Sequence, residues 1–283
     1  MPPAERASPH LVLVGGHESA EGADLSPYLD ALPGAVVTSP GRSLHNRVSA
    51  LLSTGEQGAP VVVLPMTWGR DPVMVADTAK TLRWLRSQHG PGRLVLGDAF
   101  GTIDHLVALL RRAATQTAAH QPGAGLVIAA RAANPFDDAE LHRVAHLVRT
   151  YGTGTEIEPA CIAEPADLER AVRRSQALGS DVLVVVPAGF ARTCPEVDAL
   201  PGVTFYGPLM SERAAAQVVH QRLTAAVHRL GHGDDGIATG LLADHGHGYA
   251  HSHGLDGEHP HPHEHPHDHP HTHARAADLV DST

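Results

Sequence analysis

The sequence predicts an α/β protein: two tandem four-stranded parallel-sheet lobes, followed by a disordered histidine-rich tail. Three observations carry this expectation. Short, β-branched apolar runs alternate with longer amphipathic stretches, as in β-α units. The alternation is played through twice, with matching strand sequences in each half. It then stops near Gly231, beyond which Gly, Asp and His dominate.

The elements follow in order. In the first half, the runs LVLV at 11–14, GAVV at 34–37, VVVL at 61–64 and RLVLG at 93–97 are short and unalternating. That is the pattern of strands buried on both faces. Residues 71–88 read as a helix, with Asp71 as N-cap and Pro72 at the first helical position. In 102–115, Ile103, Leu106, Val107, Leu110 and Ala113 keep one helical face apolar. In the second half, GLVIAA at 125–130 matches LVLVGG, and DVLVVVP at 181–187 matches VVVLP at 61–65. IEPACIA at 157–163 and VTFYG at 203–207 complete the set. Helices are expected over 137–150, 165–178 and 211–230. The halves read as a duplication, with lobes at 1–120 and 121–230 and a boundary near Ala118–Gly123. From 231 to 283 too little apolar surface remains to offset chain entropy.

Composition narrows the function. The chain has 283 residues, 42% of them hydrophobic, and a net charge of −10. Such an acidic chain has no overall electrostatic reason to seek nucleic acid or an anionic membrane surface. No apolar run approaches the roughly 18 residues of a membrane span. The opening MPPAERASPH lacks the pattern of a secretory signal, so a cytoplasmic protein is expected. The two cysteines, Cys161 and Cys194, form no CxxC pair, which excludes a disulfide framework and a cysteine-rich metal site.

Histidine is the anomaly. There are 23, and the stretch HPHPHEHPHDHPHTH places His259, His261, His263, His265, His267, His269, His271 and His273 at every second position. Imidazole ligates late first-row divalent ions, and alternation with proline keeps the chain open. The functional reading is a metal reservoir or delivery arm; the bland one is a polar, pH-responsive solubilising tail.

In open parallel sheets a ligand sits beyond the carboxyl ends of the strands. Gly15-Gly16-His17-Glu18-Ser19 follows the first strand, and His17 is the one histidine placed immediately after a predicted buried strand. Arg42, Arg70, Arg131 and Arg192 fall on the same predicted edge. Guanidinium groups fork carboxylates and phosphates, so an anionic substrate between the lobes is one reading, and ordinary solvated loop charges the other. His17 is either a functional group or a loop histidine at a helix start. The Gly15-Gly16 pair lacks GxGxxG and GxxxxGK[ST], and no GxSxG elbow occurs. Cys194 reads as a bystander thiol, and Asp98, Asp104 and His105 as helix-capping residues.

These residues resemble the class II tetrapyrrole chelatases, the sirohydrochlorin cobaltochelatase and ferrochelatase family of the CbiX/SirB type. LVLVGGHES is similar to the family's first strand and its His-Gly-Ser turn. VVVLPMTWGRDPVMVAD resembles its third strand, and PACIAEPADLERAVRRSQALGSDVLVVVPAGFA its second half. The likeness covers about residues 10–230 and extends to the long, two-lobed forms with histidine-rich stretches. It implies a chelatase-like fold with a macrocycle in the central cleft. The implied reaction is insertion of Co²⁺, or else Fe²⁺ or Ni²⁺, into a sirohydrochlorin-type tetrapyrrole, in cobalamin or siroheme biosynthesis. His17 would be metal ligand and proton acceptor, Glu18 its partner, and the four arginines would face the ring's carboxylates. No permanently bound cofactor is expected, and since two lobes can close their own cleft, a monomer is one arrangement open to the chain.

The sequence departs from the family in one respect that matters. The second family histidine has no counterpart in Trp68–Ala76, Arg131 stands at the second-lobe position, and Ala188–Pro195 lacks one too. A non-catalytic cobalt or nickel carrier derived from a chelatase is therefore the alternative to the enzyme.

Overall fold

A computed structural model of the chain describes residues 8–54, 58–151 and 154–244. The tail histidines, His259 to His273, lie outside the described residues. Eight strands form two four-stranded sheets. In the first, β1 (His10–Gly15), β2 (Val36–Thr38), β3 (Val61–Met66) and β4 (Leu94–Leu96) lie in the order β2-β1-β3-β4. In the second, β5 (Gly125–Arg131), β6 (Ile157–Ile162), β7 (Leu183–Pro187) and β8 (Val203–Phe205) lie in the order β6-β5-β7-β8. All pairings are parallel, and the central strands β3 and β7 are buried along their whole length. The shared strand order gives the sequence duplication its structural form.

The helices are α1 (Arg42–Thr54), α2 (Pro72–His89), α3 (Ile103–His120), α4 (Pro135–Thr150), α5 (Pro165–Ala177), α6 (Glu212–Gly231) and the short α7 (Ile237–Gly240). Local chemistry starts them where the sequence says. Asp71 caps α2 by accepting from the Met74 N–H at 3.1 Å, with Pro72 behind it. Asn134 caps α4 in the same way, accepting from Phe136 and Asp137. Thr102 and His105 cap α3 reciprocally. His17 opens a kinked 3-10 segment, His17–Ala31, where Ala20, Glu21 and Gly22 all take positive φ.

Two features of the packing cut across the expected divisions, and the contacts do not stop at residue 120. α3, the last helix of the first half, packs on α4 and β7 of the second sheet, while α6 packs on β3, β4 and the 17–31 segment of the first. Each half thus lends its last helix to the other, and the described residues belong to one compact unit. Nor does ordered packing end at 230. α7 packs on α2 and β4, with Ile237 fully buried, and Asp235 pairs with Arg86 while its carbonyl accepts from Leu96 N. One isoleucine and a handful of backbone bonds suffice to seat this turn, although its sequence shows no apolar periodicity.

No helix among the described residues is long and apolar enough to cross a membrane.

Candidate metal centre

Three loops meet at the carboxyl ends of β1, β3 and β5. They carry His17, Asp71 and Asp137, whose donor atoms all lie within 4.8 Å of one another. His17 Nε2 stands 3.7 Å from Asp71 Oδ2 and 3.4 Å from Asp137 Oδ2. It is also 2.9 Å from the Arg70 carbonyl oxygen, to which the ring nitrogen donates when protonated. A divalent first-row ion about 2.0–2.2 Å from N and O ligands holds neighbouring donors about 3 Å apart, so these spacings have the scale of a coordination shell. Two donors come from the first half of the chain and one from the second, so the site exists only where the lobes meet.

Each ligand is held from behind. Asp71 spends Oδ1 on the α2 cap and accepts the His17 backbone N–H on Oδ2 at 3.0 Å. That approach requires Gly16, because a Cβ there would stand 2.0 Å from Asp71 Oδ2. Asp137 is fixed by Asn134, whose side-chain amide donates to Oδ2 at 2.6 Å. All three side chains are largely buried, at 15%, 8% and 5% exposure for His17, Asp71 and Asp137. Imidazole with two carboxylates is a mixed donor set suited to divalent ions such as Mn, Fe, Co, Ni and Zn.

The electrostatics favour a cation. Burial opposes charging His17, but Asp137, Asp71 and Glu18 outweigh it and raise its pKa above 6.5. Burial also raises Asp71 above 3.8, with His17 pulling the other way. A buried Asp71 whose pKa is raised, beside an imidazole whose pKa its acidic neighbours raise, marks a dry acidic cluster that favours added positive charge.

Glu18 has a different task from the one expected. Its carboxylate is buried and accepts from Thr67 Oγ1, from Trp68 N at 3.1 Å and from Arg70 N at 3.0 Å. Burial raises its pKa despite the nearby Arg70 charge. With its oxygens engaged by the β3–α2 loop, Glu18 ties that loop to the segment after β1. Its backbone carbonyl accepts from Phe190 N at 2.9 Å, and Gly189 makes room for this contact, since a Cβ there would lie 2.5 Å from that oxygen.

Arg70 is likewise reassigned. It is 1% exposed, and its guanidinium donates to the carbonyls of Ala188 at 3.3 Å and Asp137 at 3.4 Å. Its guanidinium is a buried strut between the lobes. The other three arginines remain accessible. Arg42 is exposed at the start of α1, and Arg131 is exposed at the end of β5 with its charge near Asp24. Arg192 is half-buried, lies 5.7 Å over the Tyr28 ring and pairs with Glu212 at 2.7 Å. The four were expected on one edge; the structure puts one of them inside.

Sequence reasoning read Asp71 only as a cap and missed Asp137. The signal was present: Asp71-Pro72 after β3 and Asn134-Pro135 after β5 mark two helices starting at the same sheet edge. Neither free cysteine belongs to the cluster; burial pushes both thiols up to about 11, so they are poor nucleophiles.

No family model and no curated protein matches the chain. Among solved structures, it matches SirB from Bacillus subtilis with Fe³⁺ at a TM-score of 0.48 and 14% identity, over 80% of this chain and 96% of that one.

Proposed function

We propose that this chain binds a first-row divalent ion at His17, Asp71 and Asp137 and inserts it into a carboxylated tetrapyrrole of the sirohydrochlorin type, with cobalt the favoured metal. The observation that carries the reading is the three-residue donor cluster where the lobes meet. The sequence resemblance to class II chelatases supports the choice of macrocycle. The exposed Arg131 and the half-buried Arg192 supply cations for the ring's carboxylates.

The steps follow from the residues. The incoming ion exchanges water for His17 Nε2 and the two carboxylates, and a proton on Nε2, where present, leaves to solvent. Insertion requires two pyrrole N–H protons to leave. Asp71 and Asp137, both within reach of His17 Nε2, accept them as their bonds to the departing metal break. Arg70 and Glu18 keep the two halves of the ligand set in register without touching the ion. The histidines from His259 to His273 would gather metal and raise its local supply.

A carrier that binds metal without inserting it is the second reading. The burial of all three ligands favours it, because a closed site releases its ion slowly. Anaerobic absorbance of sirohydrochlorin mixed with Co²⁺ separates the two. Insertion faster than the protein-free control, abolished by His17→Ala, supports the enzyme. A rate equal to the control with Co²⁺, Fe²⁺ and Ni²⁺ alike leaves the carrier.

A further inference from the structure

A groove lies between α3 and α6, with none of the three metal-cluster residues in its lining. Ala108 and Leu109 form one wall, Val218 and Ala225 the other, and Trp68 and Phe100 lie between them. Its volume is about 520 Å³. That is within the roughly 300–1,000 Å³ of small-molecule sites, and close-packed interiors leave few voids of this size.

The lining is mostly apolar, with two polar features left unspent. Trp68 is 4% exposed, and its indole Nε1–H has no acceptor. Its ring lies edge-to-face with Phe100 at 4.9 Å and passes over Gly101, where a Cβ would stand 2.4 Å from Trp68 Cε3. Arg222 also lines the groove. Its Nε has no acceptor, and its Nη1 is 4.0 Å from Asp98, which already receives Arg229 at 2.9 Å. An apolar slot beside a buried N–H donor and an under-neutralised guanidinium suits one kind of occupant. We propose that this groove is a second binding site, for a flat, largely apolar ring that carries a single anionic group. None of His17, Asp71 and Asp137 lines it, so the inference does not rest on the metal reading.

The test uses the full chain and anilinonaphthalene sulfonate, a flat apolar anion, with its neutral analogue phenylnaphthylamine as the second arm. Probe emission and quenching of tryptophan fluorescence report binding. The expected result is saturable one-to-one binding of the anion, weakened at least tenfold by Ala225→Phe, which fills the groove, and by Arg222→Met. The neutral analogue should be weakened by Ala225→Phe alone. His17→Ala should bind both probes as the wild type does. Circular dichroism and the unfolding midpoint verify each fold, and Ala108→Phe on the opposite wall replaces Ala225→Phe if that variant unfolds. Wild-type affinity in the groove-filled variant, unsaturable binding, or loss of binding in His17→Ala would overturn the proposal.

Discussion

His17 Nε2 and Asp137 Oδ2 lie 3.4 Å apart across the junction of the two lobes. Neither half of the chain contains the cluster alone. The exchange of α3 and α6 locks the halves together, so formation of the site is coupled to assembly of the whole fold.

Gly16 should tolerate no side chain. Alanine there drives its Cβ into Asp71 Oδ2, and the carboxylate must swing away from His17. Gly16→Ala is expected to weaken metal binding at least tenfold, equivalent to about 1.4 kcal/mol. It should also lower stability by about 1 kcal/mol as the α2 cap is disturbed. Metal titration and urea unfolding of the same variant read both effects.

Arg70 and Arg131 should behave oppositely. Removing the buried guanidinium takes a donor from the Ala188 and Asp137 carbonyls and leaves Glu18 without the Arg70 charge that offsets its burial. Arg70→Ala should cost about 3–5 kcal/mol in urea unfolding. Arg131→Ala, at an exposed strand end, should stay within about 0.5 kcal/mol of the wild type. Equal effects would refute the strut assignment.

The metal-free protein should lose stability as pH rises from about 4 to above 6.5. His17, Glu18 and Asp71 all have folded-state pKa values above their ordinary 6.5, 4.5 and 3.8. The folded chain therefore binds more protons than the unfolded one. Stability from these groups is fully present below the ordinary values and is lost as pH climbs through the raised ones. A divalent ion replaces those protons, so added metal should flatten the decline. Urea midpoints across this range, with and without Co²⁺, measure it.

Much of this was legible in the sequence, because strands buried on both faces and Pro-led helix starts are local signals. Asp71-Pro72 alone fixes the start of α2. Three things were not local. Arg70 looks like a loop arginine until the second lobe brings two carbonyls to it. Glu18 looks like a partner for His17, yet the β3–α2 loop claims its carboxylate. Asp137 joins the cluster only through the lobe interface, which no spacing in the chain encodes. Nor does residue pattern reveal the helix exchange, since α3 shows the same apolar stripe whichever sheet it covers.

The central claim is that His17, Asp71 and Asp137 form a metal site within the folded core. Thermal unfolding of the full chain with Co²⁺ tests it directly. An ion that binds folded and unfolded chains alike shifts nothing, whereas an ion held only by the folded core stabilises the native state. At a hundredfold excess over Kd the gain is about 2.7 kcal/mol. That should raise Tm by about 5–10 °C in the wild type, with no rise in His17→Ala or Asp137→Asn. A wild-type Tm that ignores Co²⁺, or an equal rise in both variants, would contradict the account.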